Sequence, residues 1–339
     1  MQEPPARSLS VSLICVHGLL CDLHELDMNQ LDTGGQIVYT MNLAHALSQR
    51  REVKRVDVIT RRLMIEHDIN GYKKVDTKYS CVVENITSCL RIVRVGSNEN
   101  FLPKAEILPL LPDMADSTLE FYSTRNEALP DLWYGHFADG GAVARILAGT
   151  TNRPFLWTPH SLSLLKDKRE PDRLRLEMEC IMDCQGIITS SSVSKQILCD
   201  RYSCSAEKVH VLKPGFTKKT KCCEDAHPVW EYLEAFKEDG KTIILCAGRS
   251  VEDKQFDTII PLFEQNAYIR DQFRCIIMLI DHESEHAVSL RQRIFSYNLQ
   301  NHVIIASACS PISFIHVLEK VHQNHGILVH PSRRESFGL

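Results

Sequence analysis

The stretch Asp32-Thr33-Gly34-Gly35-Gln36 lies between two segments of different periodicity. Upstream, Val11-Ser12-Leu13-Ile14-Cys15-Val16 is an apolar run of buried-strand length, closed by His17-Gly18. Downstream, Ile37, Met41, Ala44 and Leu47 recur at helical spacing and predict a helix over 36–49. A glycine pair that opens a helix lets backbone N–H groups approach a ligand closely. The helix N-terminus favours negative charge, most often phosphate. An anion site is therefore expected near the start of the chain.

Further along, strand-like runs at 56–60, 90–95, 132–136, 155–158 and 186–189 alternate with helical stretches at 106–125 and 140–149. Leu174, Met178 and Ile181 give another helical stripe. A strand at 209–212 ends at Lys213-Pro214-Gly215, and a polar, lysine-bearing stretch follows. The pattern then restarts, with strands at 242–246, 275–280, 303–306 and 326–330 and helices at 256–265, 285–297 and 312–322. This alternation predicts an α/β protein with parallel sheets covered by helices on both faces. It also predicts two Rossmann-like domains, 1–215 and 241–339, joined by a linker at 216–240. In such sheets ligands sit at the carboxyl ends of the strands.

The 339 residues are 44% hydrophobic and 24% charged, with a net charge of -4. That profile fits a soluble α/β protein and argues against a nucleic-acid binder, which would carry a basic face. No apolar run approaches the roughly 18 to 20 residues that span a bilayer, so no membrane partner is expected. Residues 1–10 lack the basic start and apolar core of a signal peptide. The thirteen cysteines are scattered, several within apolar runs (Cys15, Cys81, Cys246, Cys275), which reads as reduced thiols in a cytoplasmic protein. Cys222-Cys223, with His210 and His227, matches no metal-ligand spacing, and no metal is expected.

Several blocks, in order, resemble the sucrose-phosphate synthases, retaining glycosyltransferases of family 4. They are Val16-His17-Gly18-Leu19-Leu20 with Glu25 and the 32–39 segment, then Tyr134-Gly135-His136-Phe137-Ala138-Asp139-Gly140-Gly141. Thr158-Pro159-His160-Ser161-Leu162 follows, with Lys166 six residues after the histidine and Arg173 and Glu177 on the next helix. The last two are Gly248-Arg249-x4-Lys254 and Glu335-Ser336-Phe337-Gly338-Leu339. The resemblance covers nearly the whole chain. It implies a GT-B fold, with two Rossmann-like domains facing across a cleft, the second incomplete.

By that resemblance, a sugar nucleotide and a sugar phosphate are the small-molecule partners, and neither cofactor nor metal is used. His160, Arg249, Lys254 and Glu335 are the expected catalytic group. Gly34, Gly35, Arg249, Lys254, Gly338 and Leu339 would meet the donor diphosphate. Arg249 offers a planar fork to phosphate oxygens and Lys254 a point charge. Gln36, His136, Asp139, Lys166, Arg173 and Arg175 would hold the acceptor, the last three as a basic group for its phosphate. Asp139 also reads as the N-cap of the helix that begins at Gly140.

The implied reaction moves glucose from UDP-glucose to fructose 6-phosphate. Alternatives are a GDP-mannose donor, free fructose as acceptor in the manner of sucrose synthases, or an inactive homologue that binds sugar nucleotides. A dinucleotide-dependent oxidoreductase is disfavoured by the lack of G-x-G-x-x-G after the first strand. Asn100 stands where the family pattern has a lysine, and Val38 where it often has one. The second glutamate of the E-x7-E motif would fall beyond Leu339, with at least one further βα unit, so weak or absent activity is expected of this chain.

Overall fold

The computed structural model describes residues 8–23, 25–26, 34–69, 72–76, 78–165, 170–215 and 228–333. The chain divides into two compact units, Met1–Asp22 with Gly34–Thr217, and Leu23–Thr33 with Lys218–Leu339.

The first unit starts with β1 (Leu9–Ile14), α1 (Gly35–Ser48) and β2 (Val53–Arg61). A hairpin of β3 (Ile65–Ile69) and β4 (Tyr72–Asp76) precedes β5 (Val83–Asn85) and β6 (Leu90–Val95). Then come α2 (Lys104–Ile107), α3 (Leu111–Thr124), β7 (Leu132–His136), α4 (Phe137–Thr151) and β8 (Phe155–Thr158). The unit closes with α5 (Pro171–Asp183), β9 (Gly186–Thr189), α6 (Ser192–Tyr202) and β10 (Val209–Val211). The sheet order is β10-β9-β8-β7-β1-β2-β6-β5. All neighbours are parallel except the short edge strand β5. The strand order reverses between β1 and β7, the position where doubly wound sheets open a ligand crevice.

The second unit contains α7 (Val229–Glu238), β11 (Thr242–Arg249), α8 (Ile259–Gln265), α9 (Ala267–Gln272) and β12 (Phe273–Ile280). It continues with α10 (Glu285–Ser296), β13 (Val303–Ser307), α11 (Pro311–Gln323) and β14 (Ile327–Leu328). Its sheet is parallel, in the order β13-β12-β11-β14.

Three local departures from the sequence reading have physical causes. The helix expected over 106–125 is broken into α2, a 3-10 turn at Leu108–Leu110, and α3. Pro109 and Pro112 explain the break, because proline is tolerated only in a helix's first turn. The stretch read as a linker contains α7, whose Val229, Leu233 and Phe236 are buried at helical spacing beside Ile243, Leu245 and Val317. The helix read from Gly140 begins at Phe137, so Asp139 lies inside the first turn rather than at the cap.

That early start of α4 positions the site. Eight consecutive residues, from Phe137 to Ala144, are buried, and glycines carry the close approach. A Cβ on Gly135 would lie 2.5 Å from the Gly140 carbonyl oxygen and the Gly141 Cα, and one on Gly140 would lie 2.4 Å from the Ile14 carbonyl oxygen. The helix therefore seats its first turn directly on the ends of β1 and β7.

Candidate functional site

The carboxyl ends of β1, β7 and β8 gather a cluster of histidines. His136 closes β7, level with Thr158 on β8. His160 follows β8 and faces it, with His136 Nδ1 and His160 Nε2 2.9 Å apart. The two rings lie with centroids 5.2 Å apart and planes 25° apart, and Tyr134 stacks on His136 at 4.8 Å. The Tyr134 hydroxyl shares a 2.7 Å hydrogen bond with Thr158 Oγ1. Phe137 packs against His160 at 4.9 Å. Both Phe137 and His160 take positive φ, +61° and +54°. Left-handed backbone is uncommon for bulky residues and is found at sites whose surroundings over-determine it.

Burial pushes both imidazoles toward the neutral form. His136 lies well below the ordinary histidine value, through burial and then its neighbour His160, and burial lowers His160 to about 3. Each ring therefore keeps one N–H at neutral pH, and a single N–H lies between the two, donated by one ring and accepted by the other. His136 Nε2 is buried without a partner, and so is Nδ1 of His17. The Nε2 of His17 pairs with the Asp139 carboxylate in the first turn of α4. Orphaned buried ring nitrogens are rare in native proteins and mark places where a water or ligand hydroxyl completes the bonding.

These shifts have a stability consequence. An unfolded chain protonates both imidazoles below about pH 6.5, and the folded chain resists protonation. The unfolded state then binds more protons, so stability is full above about pH 6.5 and falls as pH drops toward 3. The expected slope is about 1.4 kcal/mol per pH unit for each histidine. Urea unfolding at pH 7 and pH 5 measures it, and His136→Gln should show a shallower dependence.

The helix that the glycine turn opens reaches the same cluster through Tyr39. Gly34 is the N-cap of α1, which has no side-chain cap and no acidic residue in its first turn. Its φ of -167° is extended backbone that any residue adopts, so the glycine is not required by conformation there. One turn along, Tyr39 meets His160 edge-on at 5.0 Å and His136 at 6.0 Å. Tyr39 thus brings α1 against the histidine pair. Asp32 and Thr33 lie outside the described residues.

The expected basic group is not assembled from the residues described. Arg175 is largely exposed and pairs with Glu179 at 3.4 Å. Arg173 is mostly buried, its Nε on Glu177 at 3.1 Å and its Nη2 on the Ser161 carbonyl and hydroxyl at 3.1 and 2.9 Å. Two residues apart on a helix, the side chains point to different sides. Lys166 lies outside the described residues.

In the second unit, Arg249 ends β11 and is exposed. Gly248 sits at φ +155°, where a Cβ would come 3.6 Å from both Cδ and Cε of Lys254 and 3.3 Å from Phe256. The lysine stem therefore runs along the bare glycine, so Arg249 and Lys254 emerge from one loop. Ser250 beneath them is buried and accepts 2.9 Å from Ser284, which caps α10. Arg333 N–H donates to the Asp253 carbonyl at 2.9 Å, bringing the segment after β14 to this loop. Glu335, Gly338 and Leu339 lie outside the described residues, as do Cys222, Cys223 and His227. Among the described residues no group of three or more His, Cys, Asp or Glu is placed to hold a metal, and no helix is long and apolar enough to cross a membrane.

The sequence profile of Glycosyltransferase Family 4 matches residues 33–218, more than half of the chain. The chain belongs to glycosyltransferase family 4. The profile of Glycosyl transferases group 1 matches residues 230–339. Sucrose-phosphate synthase 4 of Arabidopsis thaliana is 32% identical over 210 residues, 58% of this chain and 20% of its own. Mannosylfructose-phosphate synthase of Agrobacterium fabrum (strain C58 / ATCC 33970) is 24% identical over 97% of this chain and 72% of its own. The structure of sucrose-phosphate synthase from Thermosynechococcus elongatus superposes with a TM-score of 0.71 at 20% identity, covering 98% of this chain and 77% of that one. The chain spans about a sixth to two fifths of the length of the plant sucrose-phosphate synthases it matches. In this family 4 chain each unit carries the Rossmann-like topology of the GT-B fold.

Sequence reasoning passed over several residues at this site. Tyr39 and Ser161 lay inside quoted motifs without a role. His17 read as the end of a strand and as part of a family block, without a role of its own. A histidine at the end of an apolar run, with an aspartate in the first turn of a helix beginning one sheet neighbour away, is the signal that pairs them.

Proposed function

We propose that this protein is a retaining hexosyltransferase that moves glucose from UDP-glucose to fructose 6-phosphate. The observation that carries the reading is its similarity to two enzymes whose names share a product half. Sucrose phosphate and mannosylfructose phosphate both contain a phosphorylated fructose and differ in the attached hexose. The acceptor is thus the better supported substrate. For the donor, support comes from a protein of the same fold, Anabaena HepE, solved in complex with UDP-glucose.

In this reading the acceptor hydroxyl attacks the anomeric carbon on the face the diphosphate leaves. A new carbon–oxygen bond forms, the bond to the diphosphate breaks, and the hydroxyl proton passes to the departing phosphate. No protein nucleophile and no metal are needed. The protein contributes fixed charge and hydrogen-bond donors where the negative charge develops. Arg249 and Lys254 are assigned to the diphosphate, together with Gly338, Leu339 and the start of α1 at Gly34 and Gly35, and Glu335 to the catalytic group with His160. The neutral His136–His160 pair is suited to sugar hydroxyls, because a neutral imidazole both donates and accepts. Gln36 and Asp139 are assigned to acceptor hydroxyls, and Lys166 to its phosphate. A cytoplasmic setting is supported by the eleven described cysteines, all free thiols.

The test is UDP release with UDP-glucose and either fructose 6-phosphate or free fructose. Release is expected to depend on the phosphorylated acceptor. Equal rates with free fructose would place the activity with sucrose synthases, and UDP binding without release would support the inactive homologue.

A further inference from the structure

Glu177 lies on α5, fully buried, and its carboxylate is the hub of a polar network. Both of its oxygens accept from the Ser163 backbone N–H at 3.1 Å, and one accepts from the Ser163 hydroxyl at 2.9 Å. The Tyr202 hydroxyl of α6 donates to it at 2.6 Å, and Arg173 Nε donates at 3.1 Å. Arg173 then reaches the carbonyl and hydroxyl of Ser161, and its guanidinium lies 5.6 Å from the centre of the Phe137 ring. Tyr202 accepts in turn from the Leu164 N–H at 3.2 Å.

The segment 161–164 is therefore held at three of its four residues by one carboxylate, directly or through a single side chain. His160 begins that segment in left-handed backbone, a conformation that costs a histidine energy unless its neighbours enforce it. A buried carboxylate is costly to desolvate and persists when its hydrogen bonds are complete, as they are here. We infer that Glu177 is a positioning residue. Through Ser163 directly, and through Arg173 to Ser161, it holds the loop that sets the His160 ring against His136.

Arg173 is a positioning residue as well. Its guanidinium is engaged by Glu177 and Ser161, so it acts on the site by fixing the loop. The functional consequence rests on the reading of His160 as a substrate contact, but the geometric claim does not depend on that reading.

The test uses the full chain labelled with 15N-histidine. The wild type is expected to show a slowly exchanging imidazole proton correlated with nitrogens of both His136 and His160. In Glu177→Gln this signal should vanish while backbone shifts of the second unit are unchanged. Arg173→Lys keeps the charge but loses the fork that reaches Glu177 and Ser161 together, and should also lose the signal. If Glu177→Gln does not fold, Arg173→Lys decides. An intact ring-to-ring signal in either folded variant overturns the proposal. In the transfer assay Glu177→Gln should lower kcat about 10²-fold, the cost of a misplacement near 1 Å, at nearly constant KM for UDP-glucose. Absence of transfer in the wild type would sink the functional reading and leave the magnetic resonance result to judge the positioning role.

Discussion

Replacing Gly135 by alanine is expected to destabilise the first unit by about 3 kcal/mol or more, the upper end of overpacking costs. The new methyl group would meet the Gly140 carbonyl oxygen and the Gly141 Cα at 2.5 Å. These are backbone atoms of the first turn of α4, so no side chain can swing aside. Relief requires α4 to slide off β7, and α4 is the helix that packs on α3, α5 and the sheet together. It also carries Phe137 and Asp139 to the histidine cluster. Against a typical total stability of 5–15 kcal/mol, the loss is large enough to leave a substantial unfolded population. Urea unfolding of wild type and variant measures it. The matched control is Gly149→Ala on the same helix. There an added methyl meets nothing within 4 Å, and alanine should stabilise by up to about 1 kcal/mol. A Gly135→Ala midpoint equal to wild type would mean that α4 is not seated as described.

Replacing Arg249 by alanine is expected to lower kcat by about 10²–10³-fold, the loss found when one fixed donor is withdrawn from developing charge. Arg249 is exposed at the end of β11, so the unfolding midpoint should be unchanged. That separation makes the variant informative: a chemical group is removed and the fold is left intact. Arg249→Lys should recover only part of the rate, because an ammonium cannot offer two parallel N–H donors to phosphate oxygens. Calorimetric titration with UDP should show weakened binding in the same order. A variant with wild-type UDP affinity and rate would remove Arg249 from the donor site.

The strands at 90–95, 132–136, 155–158 and 186–189 were readable to the residue, because each is a short segment rich in β-branched, aromatic or leucine residues. Helix α5 was readable as an element but not by face. Its expected stripe, Leu174, Met178 and Ile181, competes with a burial pattern of Leu176, Glu177, Cys180 and Ile181, and Met178 is 38% exposed. Hydrophobic periodicity cannot nominate a buried glutamate. Glu177 is buried because partners at Ser163 and Tyr202 satisfy it, and those lie 14 and 25 positions away. Only its i,i+4 pairing with Arg173 was visible in the sequence spacing.

The site shows the same division. His136 and His160 could be placed at strand ends from the sequence, because both follow apolar runs. Their contact could not, since it requires β7 and β8 to be neighbours and His160 to turn left-handed. Arg173 and Arg175 looked like one basic group in the sequence. The helix separates them, and Glu177 and Ser161 claim Arg173.

The most direct test of the proposed reaction is to supply UDP-[1-13C]glucose with fructose 6-phosphate and follow the anomeric carbon by 13C resonance. The expected result is a phosphorylated disaccharide whose labelled carbon keeps the donor's anomeric configuration, formed in step with UDP. An inverted anomeric centre, or labelled free glucose as the sole product, would contradict retaining transfer to a sugar phosphate.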